Sequence, residues 1–222
     1  MYKIKLTESY FPSQPDATIK DSTVGDLLRE IAEAHPTNVA LVDISENGDV
    51  IKSFSYSELL TEAMALSHSL STRFHKGEKV VVWAPNIPQW IFMEYACALS
   101  GIVLVTANPS FQTKELKYVI EQSGAVGVFL VSEYRGNKME MIAKDAIKGN
   151  PKIRELTDLE DRKTLYCEGE IKDTLSAVQP DDPAQIQYTS GTTGFPKGAV
   201  LSHKSLLNNA KIYCDRKMLL NQ

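Results

Sequence analysis

Short runs of consecutive apolar residues alternate along the chain with segments of helical periodicity. The runs occupy residues 80–83, 102–105 and 126–131, and the segments between them begin at Pro88 and near Thr113. A strand that is apolar throughout has both of its faces buried, which requires helices on both sides of a parallel sheet. The alternation therefore predicts an α/β fold with a largely parallel sheet and helices on both faces.

Several residues predict where individual elements begin. Thr23 precedes a helical pattern, and Ser55 with Glu58 forms a capping box ahead of a second helix. Asn47-Gly48 separates two apolar runs, and because both residues readily adopt positive φ, it predicts a tight hairpin turn. Thr113 is expected to cap the helix that follows it.

The ends of the predicted elements are less sharply marked. The helix after Ser55 is expected to present apolar residues on one face as far as Phe74. From residue 155 to residue 182 the pattern weakens into charged residues and short apolar pairs, so no strand or helix is predicted there. Residues 184–188 and 199–201 then predict two short strands, and a last helix follows them.

Composition and charge exclude several classes of protein. With 24 basic and 28 acidic residues, the net charge of −4 provides no field that would attract a phosphodiester backbone, so no nucleic-acid partner is expected. The uncharged stretch 95–113 is interrupted by Gly101 and loses its apolar character at Asn108-Pro109, so no transmembrane segment is predicted. No secretory signal is recognised at the start, and three scattered cysteines predict reduced, mostly buried thiols. A cytoplasmic protein is expected.

Residues 188–198, with the sequence YTSGTTGFPKG, carry the strongest chemical signal. The segment holds three glycines, four serine or threonine hydroxyls and Lys197. Glycine lets backbone N–H groups close around an anion, hydroxyls donate to phosphate oxygens, and lysine supplies a positive charge. A flexible solvent linker would need neither the Pro-Lys pair nor the apolar strands on both sides. The composition therefore predicts a phosphate-binding loop between two strands.

The spacing of this segment differs from that of a Walker A loop. A Walker A loop has four residues between two glycines, followed by Lys and then Ser or Thr. Here only two residues separate Gly191 from Gly194, Pro196 precedes Lys197, and Gly198 follows it. We therefore predict a phosphate loop of another kind.

The segment 188–198, continued by Ala199-Val200-Leu201-Ser202-His203, resembles the AMP-binding signature of the acyl-adenylate-forming superfamily. Acyl-CoA synthetases are the closest fit within it. Residues 76–78, 80–86 and 106–109 are similar to stretches of fatty acyl-CoA and 4-coumarate-CoA ligases. The resemblance implies that residues 1–222 form the N-terminal part of the large adenylation domain, without the rest of that domain or the small C-terminal domain. Because these parts carry further groups of the active site, the chain alone is expected to be inactive.

The resemblance also implies a reaction. A carboxylic acid, expected to be a fatty acid, attacks the α-phosphate of ATP in the presence of Mg2+, pyrophosphate leaves, and coenzyme A takes the acyl group. Lys197 has the catalytic role in this assignment, and no metal ligand is assigned in the chain. The residues implied to bind the nucleotide are Thr189, Ser190, Gly191, Thr192, Thr193, Gly194 and Lys197, with Gly194 and Gly198 shaping the loop.

Two other functions remain open at this point. The acyl group could be delivered to a carrier-protein thiol instead of coenzyme A, or the chain could be a non-catalytic nucleotide-binding module. His203 is interpreted as a packing or helix-start residue and not as a catalytic group. The apolar triplet Met218-Leu219-Leu220 predicts exposed apolar surface, and with it self-association as a homo-oligomer or as a fragment.

Overall fold

A computed structural model describes Thr7 and residues 18–167, 178–189 and 196–219, with side chains in the last helix described as far as residue 215. Seven helices and eight strands lie in these ranges. The helices are α1 (Val24–Ala34), α2 (Tyr56–Ser71), α3 (Pro88–Ser100), α4 (Thr113–Ser123), α5 (Met139–Ile147), α6 (Arg162–Leu165) and α7 (His203–Leu219). The strands are β1 (Val39–Ile44), β2 (Val50–Ser55), β3 (Lys79–Trp83), β4 (Val103–Thr106), β5 (Gly127–Leu130), β6 (Glu155–Asp158), β7 (Pro183–Thr189) and β8 (Lys197–Ser202).

Six of the strands form one sheet in the order β6-β5-β3-β4-β7-β8. All neighbours are parallel except β7 and β8, which are antiparallel. The chain moves from β3 to β4 through α3 and back across β3 to β5 through α4. Because such crossovers are right-handed, these opposite directions place α3 and α4 on opposite faces of the sheet. The predicted α/β fold with a largely parallel sheet is confirmed.

The core consists of the central strands and the helix faces that cover them. Trp83, Leu104 and Phe129 are buried, each on a different central strand. On one face α1, α2 and α3 pack together, and on the other α4 packs against α5. These contacts explain why residues 80–83, 103–105 and 128–130 of the central strands are all apolar, as the prediction required.

The predicted element starts are largely confirmed. The Thr23 hydroxyl accepts a hydrogen bond from the backbone N–H of Asp26, and both hydrogen bonds of the Ser55–Glu58 capping box are present. Gly48 has a φ of 86° in the turn between β1 and β2, which pair as an antiparallel hairpin. The expectation for Thr113 is wrong.

Gln112 caps α4 instead of Thr113. The side chain of Gln112 and that of Glu115 form a reciprocal capping box, so Thr113 is the first helical residue. The extent predicted for α2 is also wrong, because this helix ends at Ser71. Phe74 is nevertheless buried, since the chain turns back there and the ring packs beside Gly127 at the start of β5.

A strand and a short helix lie in the stretch where none was predicted. Strand β6 pairs with β5 at the edge of the sheet, and α6 follows it. The sequence of β6, Glu-Leu-Thr-Asp, is polar because only Thr157 is buried in this edge strand. The prediction of mostly buried thiols is likewise wrong, because Cys97 is buried whereas Cys167 and Cys214 are exposed. None of the helices in the described part of the chain has the length and apolar character needed to cross a membrane.

Candidate phosphate-binding site

The predicted phosphate loop joins β7 to the antiparallel strand β8. Thr189 and Lys197 are the last paired residues of these strands and lie opposite each other. Strand β7 is parallel to β4, so the segment emerges at the edge of the sheet where the parallel strands have their carboxyl ends. Ligands of α/β proteins bind outside this edge. The topology therefore places the segment where a ligand site is expected.

Only two of the predicted nucleotide-binding residues lie in the described part of the chain. Thr189 and Lys197 are both exposed, and Lys197 forms no ion pair with any other residue that the structure describes. Its ammonium group is therefore available to an anion. The predicted residues outside the described ranges are Ser190, Gly191, Thr192, Thr193 and Gly194.

Gly198 lies opposite Tyr188 in the β7–β8 pair. A Cβ atom at this position would be 3.0 Å from Cγ2 of Ile186 and 3.2 Å from Cζ of Tyr188. Both distances are shorter than ordinary van der Waals contact, so a side chain at this position would displace its neighbours. Packing on the face of β7 thus explains why glycine follows Lys197.

Two tyrosines hold the ends of the segment against α4. The hydroxyl of Tyr118 donates to the carbonyl of Pro196 at 3.1 Å. The hydroxyl of Tyr188 donates to the side chain of Gln122, and the rings of Tyr118 and Tyr188 meet edge to face with centroids 6.5 Å apart. Burial raises the pKa of Tyr188 further above neutral pH, where a tyrosine hydroxyl is already protonated and can donate. The sequence did not indicate a role for Tyr118, because a single tyrosine in an ordinary amphipathic helix carries no signal of the partner that its hydroxyl will bind.

A cavity of about 500 Å³ lies between the segment and the loop that follows β4. The lining residues are uncharged and come from both sides: Thr106, Ala107, Asn108, Pro109, Phe111, Tyr188, Thr189 and Pro196. The loop is fixed by the indole N–H of Trp83, which donates to the carbonyl of Asn108 at 2.8 Å. Residues 106–109, which are similar in sequence to a stretch of fatty acyl-CoA and 4-coumarate-CoA ligases, therefore lie beside the ends of the predicted phosphate loop.

The opposite face of β7 is joined to α3 by a polar network. The amide nitrogen of Gln185 donates to the carboxylate of Glu94 at 2.6 Å, and that of Gln187 donates to the Gln185 oxygen at 2.9 Å. Burial raises the pKa of Glu94, while the bond from Gln185 acts in the opposite direction. This network aligns the strand whose end carries Thr189.

His203 lies at the other edge of the sheet, as the first residue of α7. Its side chain is buried, and Nδ1 accepts a hydrogen bond from the backbone N–H of Val24 at 3.4 Å. Burial lowers the pKa of His203, which favours the neutral ring. The position agrees with the packing or helix-start role inferred from sequence. In the described ranges, His, Cys, Asp and Glu form no group of three or more able to hold a metal ion.

Fold and segment together define an α/β protein with a candidate phosphate site at the carboxyl edge of its sheet. The profile of the AMP-binding enzymes matches residues 28–220. The chain belongs to the AMP-binding enzyme family.

Similar proteins agree with this assignment. The putative acyl-CoA synthetase YngI of Bacillus subtilis (strain 168) is 29% identical over 93% of this chain and 42% of its own length. The mitochondrial medium-chain acyl-CoA ligase ACSF2 of Homo sapiens is 30% identical over 95% of this chain and 38% of its own length. The solved structure of VinN with 3-methylaspartate is 25% identical, with a TM-score of 0.69, and the match covers 87% of this chain and 51% of that one. This chain spans about two fifths of the length of these curated relatives.

Proposed function

We propose that this chain is part of an ATP-dependent acid–thiol ligase that activates a carboxylic acid as an acyl-adenylate. The observation that carries the proposal is the placement of Thr189 and Lys197, exposed and opposite each other, at the carboxyl edge of the sheet beside a cavity. The names of YngI and ACSF2 support a carboxylic acid that is converted to an acyl-CoA, and a fatty acid is the proposed substrate. Coenzyme A is the proposed acceptor.

The proposed reaction has two steps. A carboxylate oxygen forms a bond to the α-phosphorus of ATP, and the bond between the α-phosphorus and the bridging oxygen breaks, so that pyrophosphate leaves with its electron pair. A thiolate then displaces AMP from the acyl carbon. Stabilising the charge on the leaving pyrophosphate lowers the barrier of the first step.

The residues of the segment have separate roles in this proposal. Lys197 provides positive charge to the leaving pyrophosphate, and Thr189 donates a hydrogen bond to it. Gly194 and Gly198 shape the loop, and Gly198 has the packing constraint described above. The remaining proposed phosphate ligands are Ser190, Gly191, Thr192 and Thr193.

Mg2+ enters the proposal as the ion that accompanies the ATP phosphates, which it binds through their oxygens. No residue of the described ranges is assigned to hold it, because the acidic and imidazole groups there form no cluster. We further propose that residues 1–222 contribute the N-terminal part of a larger adenylation domain, because the curated relatives are more than twice as long as the part matched.

A second candidate substrate class is supported by the structure of VinN in complex with 3-methylaspartate, which is an amino acid. An amino acid would be activated by the same first step, and the acceptor could then be a carrier-protein thiol. Pyrophosphate release by the complete gene product with a panel of fatty and amino acids separates the two classes. No release with any acid would contradict the proposed ligase activity.

Replacing Lys197 tests the role of the segment. Lys197→Ala in the complete gene product is expected to raise the barrier of adenylate formation by on the order of 3 kcal/mol, because the positive charge that stabilises the leaving pyrophosphate is lost. Thioester formation from a supplied acyl-adenylate should change less. Lys144→Ala is the matched control, since Lys144 is an exposed lysine of α5 whose ion-pair partner among the described residues is Glu140 of the same helix. An unchanged first step would remove Lys197 from the site.

A further inference from the structure

The loop after β4 forms one wall of the cavity whose other wall contains Thr189. Its hydrogen bonds fix the orientation of Asn108. The carbonyl of Asn108 accepts from Nε1 of Trp83 at 2.8 Å and from the backbone N–H of Phe111 at 2.9 Å. The side-chain oxygen of Asn108 accepts from the backbone N–H of Ser110, also at 2.9 Å. The loop is therefore held in place before any ligand arrives.

These hydrogen bonds involve the backbone and side-chain oxygens of Asn108, and they do not involve its side-chain N–H groups. A carboxamide has two N–H groups, and in the described part of the chain none of them has an acceptor within hydrogen-bonding distance. The side chain is exposed and lines the cavity. A ligand in the cavity would thus meet two N–H donors on a fixed loop.

The rest of the cavity is suited to an anion. No Asp or Glu lines it among the residues that the structure describes, so no carboxylate would repel a negative charge. Thr189 contributes a hydroxyl, and Lys197 directly follows the lining residue Pro196. Donors on a neutral wall, with a lysine nearby, form the arrangement that polyphosphates need.

We propose that the carboxamide of Asn108 donates a hydrogen bond to the pyrophosphate group of the nucleotide, from the side of the cavity opposite Thr189. The inference rests on the proposed function and extends it, since it adds a ligand-binding residue from a loop that lies about 80 positions earlier in the chain. Asn108 binds the phosphates, and Trp83 positions Asn108.

Asn108→Asp tests this proposal with little change of shape. The aspartate still accepts from the Ser110 N–H, so the loop should keep its fold, but the donors are lost and a negative charge is added. Binding of inorganic pyrophosphate and of ATP to the complete gene product is measured by isothermal titration calorimetry. We expect Asn108→Asp to weaken both by on the order of tenfold or more, the effect of losing a hydrogen bond to a charged group and adding repulsion. Asn108→Ala, which adds no charge, should weaken them less.

Asn150→Asp is the matched control. The side-chain oxygen of Asn150 accepts from the backbone N–H of Lys152 at 3.1 Å, the same local arrangement as at Asn108. Asn150 lies at the other edge of the sheet, in a cavity of about 240 Å³ lined by three lysines. This variant should change the affinity for either ligand less than twofold.

The outcomes separate this inference from the proposed function. If Lys197→Ala weakens binding while Asn108→Asp behaves like Asn150→Asp, the role of Asn108 is overturned and the phosphate site stands. If Asn150→Asp weakens binding as much as Asn108→Asp, the ligand binds without a specific site and the role of Asn108 is again overturned. If the unaltered complete gene product binds neither ligand, the proposed function of the segment is overturned and the inference with it. Amide exchange at Ser110 and Phe111 verifies that the loop is folded in each variant.

Discussion

The two ends of the parallel strands differ in the interactions that hold their loops. The end at which these strands begin is the amino edge of the sheet, and the end at which they finish is the carboxyl edge. At the amino edge, ion pairs join elements that are distant in sequence: Lys76 with Asp182 at 2.8 Å, Arg154 with Glu78 at 2.6 Å, and Arg73 with Glu155. At the carboxyl edge, the described residues around the cavity are uncharged, and the loops are held by hydrogen bonds from tyrosine and tryptophan. At the amino edge the named charged side chains pair with each other, whereas at the carboxyl edge hydrogen-bond donors remain for a ligand.

This difference indicates how the molecule separates stability from binding. The charges of each ion pair at the amino edge neutralise each other, and the pairs join residues at the starts of β3, β6 and β7. The donors at the carboxyl edge are satisfied only partly within the described structure. Substitutions at the amino edge should therefore change the free energy of unfolding, and substitutions at the carboxyl edge should change ligand affinity.

The largest expected effect on stability is that of Phe74→Ala at the amino edge. Phe74 is buried, meets Phe129 edge to face at 6.1 Å, and covers Gly127. Removing the ring leaves a cavity, so the free energy of unfolding in urea should fall by about 3–5 kcal/mol. Phe111→Ala, at the half-buried ring beside the cavity, is the control and should cost clearly less. Equal losses at both edges would contradict the comparison.

A smaller effect is expected from Glu78→Gln. The Arg154 guanidinium, by its hydrogen bonds, lowers the pKa of Glu78 from 4.5 to about 2. Because the folded state has the lower pKa, the ionised carboxylate stabilises the fold above pH 4.5, and this contribution is lost as the pH falls through 2. Arg154 is about half exposed, so solvent screening limits the loss in the variant to about 1 kcal/mol at pH 7.

The measurement for Glu78 is the difference in unfolding free energy between variant and unaltered chain across pH. The difference should shrink as the pH falls from about 4.5 to about 2. High salt should reduce it as well, because the pair is partly exposed. A difference that grows on acidification would show that the pair does not stabilise the folded state. Nucleotide binding should be unaffected at pH 7.

The smallest expected effect is that of Tyr118→Phe at the carboxyl edge. The variant loses the hydrogen bond to the Pro196 carbonyl, which contributes about 1 kcal/mol or less. Amide exchange at Gly198 and Val200 should become several-fold faster, while amides of β3 keep their rates. Tyr134→Phe, outside the β7–β8 pair, is the control. Unchanged exchange at Gly198 would show that Tyr118 does not hold this end of the segment.

Sequence alone predicted the buried part of the fold because its determinants are local. Consecutive apolar residues at 80–83 are enough to indicate a strand covered on both faces, and the Ser55–Glu58 pair determines a helix start by itself. Strand β6 was missed because its polar residues form a strand only through pairing with β5. Gln112 is the N-cap of α4 because it forms a capping box with Glu115. The general preference for threonine at N-caps, which favoured Thr113, does not indicate this pairing.

The residues of the candidate site likewise fall into those that local sequence predicted and those that it did not. The composition of residues 188–198 indicated phosphate chemistry directly, and the structure describes Thr189 and Lys197 from that set. Asn108 and Tyr118 carried no comparable signal, because their position beside the segment depends on the pairing of β4 with β7 and on the packing of α4. Contacts between distant parts of the chain are the information that local patterns lack.

The pairing of β4 with β7 also determines when the site is formed. Leu104 pairs with Gln185, about 80 residues later, whereas β3 pairs with β4 after one crossover helix. Closing a long loop costs more entropy and is slower than closing a short one, so β3, β4 and β5 should associate first. The cavity between Asn108 and Thr189 would then appear only in the last steps of refolding. In pulse-labelled refolding, amides of β3 should gain protection before those of Ile186, and simultaneous protection would contradict this order.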